Sequence, residues 1–164
     1  MNDDREWLEA MWNQHAGKIY AYAARRVGRD AADDVVADTF VVAWRNRGSR
    51  PSRELPWLYG VARRVIGDRR RSGDRFQGLV DRLTTGSGSL HNPDPDARLA
   101  ARAALDALSE DDREVLLLAA WEGLDAGDAA RALGVSSPSY RMRLSRARRR
   151  LAKAMAAQSG EETP

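Results

Sequence analysis

The stretch that decides the fold is DAGDAARALGVSSPSYRMRLSRARRRL, residues 125–151. Asp125 is of a type that caps helices and Gly134 of a type that ends them, so they predict a short helix from Ala126 to Leu133. The dipeptide Ser137-Pro138 is a strong start signal for a second helix. Two helices joined by a tight turn, the second markedly basic, are typical of a helix-turn-helix, which places its second helix in the major groove of DNA.

The second of these helices divides into an anchoring stripe and a polar surface. Its apolar residues recur at three- and four-residue intervals, which is the spacing of a buried helix face. They are Tyr140, Leu144, Ala147 and Leu151. We expect residues near the start of the helix to reach base edges and the arginines that follow to hold phosphates. The candidate DNA-binding residues here are Ser139, Tyr140, Arg141, Met142, Arg143, Ser145, Arg146, Arg148 and Arg149.

Two further helices are predicted before the helix-turn-helix. Apolar residues outline the first, and they are Leu99, Ala103, Leu105 and Leu108. Ser109 with Asp112 forms a variant of the capping box and opens the second helix, which continues through Trp121 until Gly123 stops it.

The first part of the chain also has helical spacing. A helix is predicted from about residue 4 to residue 27, and a second is capped by Asp30. The residues of the second helix that we expect to face inward are Val35, Val36, Phe40, Val41 and Trp44. Pro56 fits the first turn of a third helix, so three or four helices here could close one small core.

The region between the two parts is rich in Gly, Ser, Thr and Pro and predicts a flexible linker. The fold class is therefore all-α, with two small helical domains and no strands. The predicted limits are residues 1–72 for the first domain, 73–97 for the linker, 98–157 for the second domain and 158–164 for a tail. The apolar cluster of the linker, Phe76, Leu79, Val80 and Leu83, could form a helical turn or bind a partner.

Charge follows the same division. Residues 1–44 hold five basic and eight acidic side chains, whereas residues 45–71 hold nine basic and two acidic ones. In the second part, residues 98–137 hold four basic and eight acidic side chains, and residues 138–153 hold seven basic and none acidic. A single run of this kind is usually a solvated surface, but matching runs at the ends of two domains favour a polyanionic partner such as nucleic acid.

Composition excludes several classes of function. The 164 residues include no Cys, which removes disulfides, thiolate catalysis and Cys-based zinc sites. No secretory signal or membrane span is present, so we expect a cytoplasmic protein without membrane insertion. Asp33, Asp34 and Asp38 match metal-binding signatures poorly, and His15 and His91 are interpreted as surface or helix-face histidines. We therefore predict no catalytic residue, no metal and no cofactor.

Four motifs of the second part resemble region 4 of extracytoplasmic-function (group IV) sigma factors, of the sigma-70 family. They are DREVLLL (112–118), WEGL (121–124), AARALGVS (129–136) and RMRLSRARRRL (141–151). Two motifs of the first part resemble regions 2.2 and 2.3 to 2.4 of the same family, in the family's order. They are DVVADTFVVAWR (34–45) and PWLYGVARRVIGDRRR (56–71).

The resemblance implies a non-enzymatic protein that directs RNA polymerase to promoters. Asp34, Asp38 and Arg45 would bind the clamp helices of the β′ subunit, although Ala37-Asp38 stands where the family commonly has Gln-Glu. The basic third helix, with the loop 47–55, would engage the −10 element. The candidate residues are Arg50, Arg53, Trp57, Arg63, Arg64, Arg69, Arg70 and Arg71.

By the same resemblance, the last helix would read the −35 element. The implied partners are core RNA polymerase, through the β′ clamp helices and the β flap, and promoter DNA. An anti-sigma factor is a further candidate partner, because the family is commonly regulated by such proteins.

Two alternatives stay open from the residues alone. One is a helix-turn-helix repressor or activator whose N-terminal helices form a sensor or dimerisation domain. The other is a nuclease or other enzyme built on Asp33, Asp34 and Asp38. The tryptophans are interpreted mainly as core residues, except that Trp57 could equally stack on DNA.

Overall fold

The computed structural model describes residues 2–72 and 95–160. This part of the chain contains helices, turns and loops, and no strand. The helices are α1 (Asn2–Val27), α2 (Arg29–Arg45), α3 (Glu54–Arg71), α4 (Pro95–Asp106), α5 (Glu110–Ala120), α6 (Ala126–Leu133) and α7 (Ser137–Gly160). They fall into two compact units, α1 to α3 in the first and chiefly α4, α5 and α7 in the second. The all-α prediction is confirmed. The apolar cluster predicted for the linker lies outside the described residues.

The first unit is a bundle in which each of the three helices packs against the other two. Its interior is formed by large side chains that are at most 5% exposed, among them Met11, Ile19, Tyr22, Val35, Phe40, Leu58 and Ile66. The rings of Tyr22 and Tyr59 lie 5.0 Å apart and join α1 to α3. The guanidinium of Arg26 is buried over the Tyr22 ring, 3.5 Å from its centre, and donates to the Tyr22 carbonyl. The core of the first unit therefore contains two tyrosine rings and a cation–π contact from a buried arginine.

The turn between α1 and α2 corrects one predicted cap. Gly28, at φ 89°, is the residue before α2, and it supplies no side-chain hydrogen bond to the helix. A positive φ favours glycine, so the chain can reverse here without a side-chain cap. Asp30 lies inside the first turn of α2 rather than at its cap.

Several residues expected in the core are exposed. Val41 and Trp44 of α2 are 46% and 37% exposed, and Trp12 of α1 is 45% exposed although its ring packs against Phe40. In the second unit, Leu99 and Trp121 are 65% and 46% exposed. Trp12 and Trp44 border the buried stripe of their helices. Val41 instead lies on the side of α2 opposite the buried residues, so its apolar type and not its spacing suggested the core.

His15 departs from its prediction in the opposite direction. It is only 6% exposed, and its Nε2 lies 3.4 Å from Glu54 Oε2 at the start of α3. The surface interpretation of His15 was therefore wrong, and His91 lies outside the described residues.

The caps of the second unit follow the sequence signals closely. The Ser109 hydroxyl accepts a hydrogen bond from the Asp112 amide at the start of α5, and Asp125 Oδ1 accepts one from the Asp128 amide in α6. Gly123 and Gly134 take positive φ values of 62° and 67° after α5 and α6. At α7 the capping hydroxyl is that of Ser136, which accepts from the Ser139 amide. Each helix of the motif thus begins and ends where its capping residues allow.

The second unit is held together by α7, which packs against both α4 and α5. The buried residues at these contacts include Ala104, Leu108, Leu118, Tyr140 and Ala147. Within residues 2–72 and 95–160, every helix is either too short or too polar to cross a membrane.

Candidate promoter and polymerase interface

The outward face of α7 carries most of the predicted DNA-binding residues. Tyr140 and Ala147 are buried and Leu144 and Leu151 are half-buried, which fixes the side of the helix that faces α4 and α5. At 3.6 residues per turn, the opposite side is formed by Met142, Ser145, Arg146 and Arg149, all exposed. Arg141 and Arg148 lie along one edge of this face and Arg143 along the other, and Ser139 is half-buried in the first turn. The face is therefore a basic ridge with a short polar centre.

Tyr140 does not belong to that face, which corrects its assignment as a base-contacting residue. It is 1% exposed, and its hydroxyl donates to the Val115 carbonyl of α5 at 3.3 Å. Burial raises the pKa of this hydroxyl above its ordinary value of 10.0. The native state thus holds the hydroxyl proton more tightly than the unfolded chain does. The protonated Tyr140 therefore stabilises the fold below pH 10.0, and this contribution is lost as the pH rises through the higher pKa of the folded state.

Substitution of Tyr140 separates packing from DNA contact. Tyr140→Phe removes one hydrogen bond and should lower the free energy of unfolding by about 1 kcal/mol, whereas Tyr140→Ala should lower it by about 3–5 kcal/mol through loss of the ring. Urea denaturation monitored by circular dichroism measures both changes. Binding of Tyr140→Phe to duplex promoter DNA should match the wild type, and loss of that binding at unchanged stability would restore the base-contact role.

One ion pair orients the far part of α7. Arg150 donates to Asp112 Oδ2 at 2.6 Å, and Asp112 is 9% exposed. Because Asp112 also occupies the capped first turn of α5, the pair ties the C-terminal half of α7 to the start of α5. Arg150 is thus held against the unit, while Arg146 and Arg149 stay on the outer face.

A second basic ridge follows α3. Trp57, Arg64 and Arg71 are spaced seven residues apart, so they lie on one side of the helix, opposite buried residues such as Ala62 and Ile66. Arg64 and Arg71 are exposed and Trp57 is half-buried. Arg71 forms an ion pair with Asp68 of the same ridge. Arg63 and Arg70, both half-buried, flank the ridge on one side. A partly open indole beside arginines suits stacking on an unpaired base.

Arg69 lies apart from the α3 ridge. Its guanidinium donates to Asp38 of α2 at 2.8 Å and lies 3.9 Å from Asp34. The structure therefore joins a residue assigned to the −10 element with two residues assigned to the polymerase. In this conformation Arg69 links α3 to α2, and Asp38 and Asp34 keep 53% and 71% of their side chains exposed.

The outward face of α2 contains more than the three predicted polymerase-binding residues. Asp34, Asp38 and Arg45 are exposed at helical spacing, and Val41 lies between them on the same side. Trp44 borders this face and carries the guanidinium of Arg47 over its ring at 4.6 Å. An exposed aliphatic side chain inside a ring of charges is typical of the centre of a protein interface. Sequence reasoning missed Val41 because it placed that residue in the core.

The loop between α2 and α3 brings the remaining predicted residues to the start of α1. Arg50 donates to Asp3 Oδ2 at 2.6 Å and to Asp4 Oδ1 at 2.9 Å, and its guanidinium lies 5.2 Å from the centre of the Trp7 ring. The hydrogen bond from Arg50 lowers the pKa of Asp4, and the bond to Asp4 raises the pKa of Arg50, so both groups are charged at neutral pH. Arg53 is exposed just before α3.

The exposed basic helix of one unit, within a helix-turn-helix, and the basic ridge of the other are the features of a helical DNA-binding protein of transcription. Among residues 2–72 and 95–160, no group of three or more His, Asp or Glu side chains is arranged to hold a metal ion.

Comparisons with known families identify the transcription protein more closely. Residues 11–76 match sigma-70 region 2, and residues 98–151 match sigma-70 region 4. The chain is 34% identical to the ECF RNA polymerase sigma factor SigL of Mycobacterium tuberculosis, over 84% of this chain and 82% of SigL. It is 33% identical to the RNA polymerase sigma factor CnrH of Cupriavidus metallidurans, over 87% of this chain and 84% of CnrH.

Two solved structures have the same architecture. One is CnrH in complex with the cytosolic domain of CnrY, with a TM-score of 0.64 and 28% identity over 93% of this chain and 90% of CnrH. The other is the sigma factor RpoE in complex with the anti-sigma factor NepR from Bartonella quintana, with a TM-score of 0.63 and 26% identity over 95% of this chain and 98% of RpoE.

The chain belongs to the extracytoplasmic-function sigma factors of the sigma-70 family. It is an RNA polymerase sigma factor for transcription initiation, and sigma factors bind core polymerase and promoter DNA without being enzymes. The family decides against the repressor and enzyme alternatives. The roles of single residues and the limits of the two domains stay predictions.

Proposed function

We propose that this sigma factor divides its work among three surfaces, defined by the outward face of α2, the ridge and preceding loop of α3, and the outward face of α7. Residues 1–72 would bind core polymerase and the −10 element, and residues 98–157 would bind the −35 element. Residues 73–97 would connect them, and residues 158–164 would form a tail. The protein would act in the cytoplasm, where its polymerase works.

The α2 face supports the polymerase contact. It combines two exposed carboxylates, an arginine and the exposed Val41, which gives it both charge complementarity and an apolar centre. We assign it to the β′ clamp helices. Arg69, held by Asp38, stands at the border of this face and couples it to α3.

The α3 ridge supports the −10 contact. Recognition of this element needs bases to be trapped as the strands part, and a partly exposed indole with arginines on one side provides stacking and phosphate contacts together. Trp57, Arg64 and Arg71 would supply these contacts, with Arg63 and Arg70 beside them and Arg50 and Arg53 from the loop.

The observation that carries the −35 assignment is the exposed face of α7. Its basic side chains continue for about two turns around Met142 and Ser145. The apolar stripe on the opposite side of the helix packs against the rest of the unit. A helix of this kind can enter the major groove of duplex DNA with its first residues on base edges. Arg141, Met142 and Ser145 are the residues we assign to base edges, and the later arginines to phosphates.

Regulation by a protein partner is also proposed. CnrH was solved with CnrY and RpoE with the anti-sigma factor NepR, and we propose that an anti-sigma protein likewise binds this chain. Such a partner can be identified experimentally, because it should compete with core polymerase for the purified sigma factor.

Run-off transcription tests the proposed function directly. Purified sigma factor with core polymerase should initiate at a small set of promoters selected from a random library, and each selected promoter should contain two conserved blocks. Core polymerase alone is the control and should select none. Tight binding to duplex DNA without any association with core polymerase would contradict the proposal.

A further inference from the structure

The first turns of α1 contact the loop between α2 and α3 through charged and aromatic side chains. Arg50 is held by Asp3 and Asp4 together, with the Trp7 ring beneath it. Arg47 lies with Nε 3.4 Å from Asp4 Oδ2 and donates from its own guanidinium to the Trp44 carbonyl at 3.1 Å. Two loop arginines are therefore each held by a carboxylate on one side and an aromatic ring on another.

The same turns of α1 also hold the start of α3. Trp7 Nε1 donates to Glu54 Oε1 at 2.8 Å, and Glu54 is the first residue of α3. One face of α1 thus contacts both the loop 46–53 and the helix that follows it. The match to sigma-70 region 2 begins at residue 11, so these contacts come from chain that precedes the matched range.

We propose that Asp3, Asp4 and Trp7 are positioning residues for −10 recognition, which fix Arg47 and Arg50 before DNA arrives. This inference rests on the proposed role of the α2–α3 loop. Pro51 restricts the backbone of this loop at Arg50, whereas Gly48, Ser49 and Ser52 restrict it little elsewhere. Its arginines have long flexible stems, whose ordering opposes binding unless it is completed in the free protein. In the free protein, the carboxylates and the Trp7 ring of α1 and the Trp44 ring of α2 already hold these arginine side chains in place.

The geometry distinguishes positioning from a purely structural role. Asp3 keeps 83% of its side chain exposed, Arg50 keeps 35% and Asp4 keeps 33%, so all three remain in contact with solvent and their ion pairs add little to the stability of the bundle. The core of the first unit, formed by residues such as Ile19, Val35 and Leu58, does not involve them. The effect of removing the carboxylates should therefore be felt in recognition and hardly in folding.

The test compares Asp3→Asn/Asp4→Asn with Glu6→Gln/Glu9→Gln in the full chain. Both variants remove two negative charges from neighbouring turns of α1, but Glu6 and Glu9 bond to Asn2 and Arg5 of α1 itself. The readout is the ratio of initiation at a library-selected promoter to initiation at the same promoter with its −10 bases replaced. We expect the ratio to fall about fivefold in the first variant, since two long side chains must then be ordered on binding, and to stay unchanged in the second.

Two further measurements complete the test. Core affinity and melting temperature of Asp3→Asn/Asp4→Asn should equal those of the wild type, while amide hydrogen exchange in residues 46–53 should become faster. Asp3→Glu/Asp4→Glu, which keeps the charges, should restore most of the discrimination.

An unchanged ratio in Asp3→Asn/Asp4→Asn would overturn the inference. So would a uniform rise in affinity for every DNA sequence, because the carboxylates would then compete with DNA rather than position the loop. A wild-type protein that selects no promoter with core polymerase would instead refute the proposed function, so the two failures are distinguishable.

Discussion

Replacement of Arg146 and Arg149 by alanine should lower initiation at −35-dependent promoters by about tenfold to a hundredfold. Both arginines are exposed on the side of α7 opposite its buried stripe, so their loss removes DNA contacts and leaves packing intact. The free energy of unfolding should change by less than about 0.5 kcal/mol for each surface substitution. Run-off transcription and fluorescence anisotropy with a −35 duplex would measure the loss.

The salt dependence of duplex binding gives this prediction a second readout. Each phosphate contact contributes a slope of about 0.9 in the logarithm of affinity against the logarithm of salt, so the double variant should lose about two units of slope. Arg5→Ala/Lys18→Ala removes the same charge from exposed positions of α1 and is the matched control. If the two double variants weaken duplex binding equally, the effect is one of net charge and α7 has no special role.

Substitution of Val41 by aspartate should reduce the affinity for core polymerase by about tenfold or more, because the centre of an interface contributes most of its binding energy. Val41 is 46% exposed and lies between Asp38 and Arg45, so a charge there disrupts the proposed contact without entering the core. Asp38→Lys should have a comparable effect by reversing a charge on the same face. Titration of labelled sigma factor with core polymerase measures both affinities.

Controls for this face come from exposed positions elsewhere. Ala120→Asp at the end of α5 adds the same charge as Val41→Asp, and Glu6→Lys on α1 makes the same reversal as Asp38→Lys. Val41→Asp is the sharper variant, because Asp38 also pairs with Arg69 and its reversal affects that contact. Wild-type core affinity in Val41→Asp, with an unchanged melting temperature, would exclude this side of α2 as the polymerase contact.

The faces of α2 and α7 named in these predictions show which structural features local sequence patterns predict. For the first helix of the helix-turn-helix, both the limits Ala126 and Leu133 and the cap at Asp125 were predicted correctly. Capping residues and glycines with positive φ act over only a few residues, so a local pattern is enough to place them. The capped start of α5 at Ser109 was predicted for the same reason. By contrast, Val41 was placed in the core, and Tyr140 was placed both in the buried stripe of its helix and among the base-contacting residues. At 3.6 residues per turn Val41 lies on the side of α2 opposite buried residues such as Val36 and Ala43, so its apolar type and not its spacing suggested the core. Tyr140 lies within the buried stripe of α7, so its stripe placement is confirmed and its base-contact placement is wrong.

The sequence by itself determined the helical class, the caps at Ser109 and Asp125, the separation into two parts and the family, because these depend on residue type and spacing along the chain. Only the tertiary structure decided that Arg69 faces Asp38, that Arg50 meets Asp3 and Asp4, and that His15 lies inside against Glu54. These pairs join residues more than thirty positions apart. Their contact depends on the crossing of three packed helices, which no local pattern encodes.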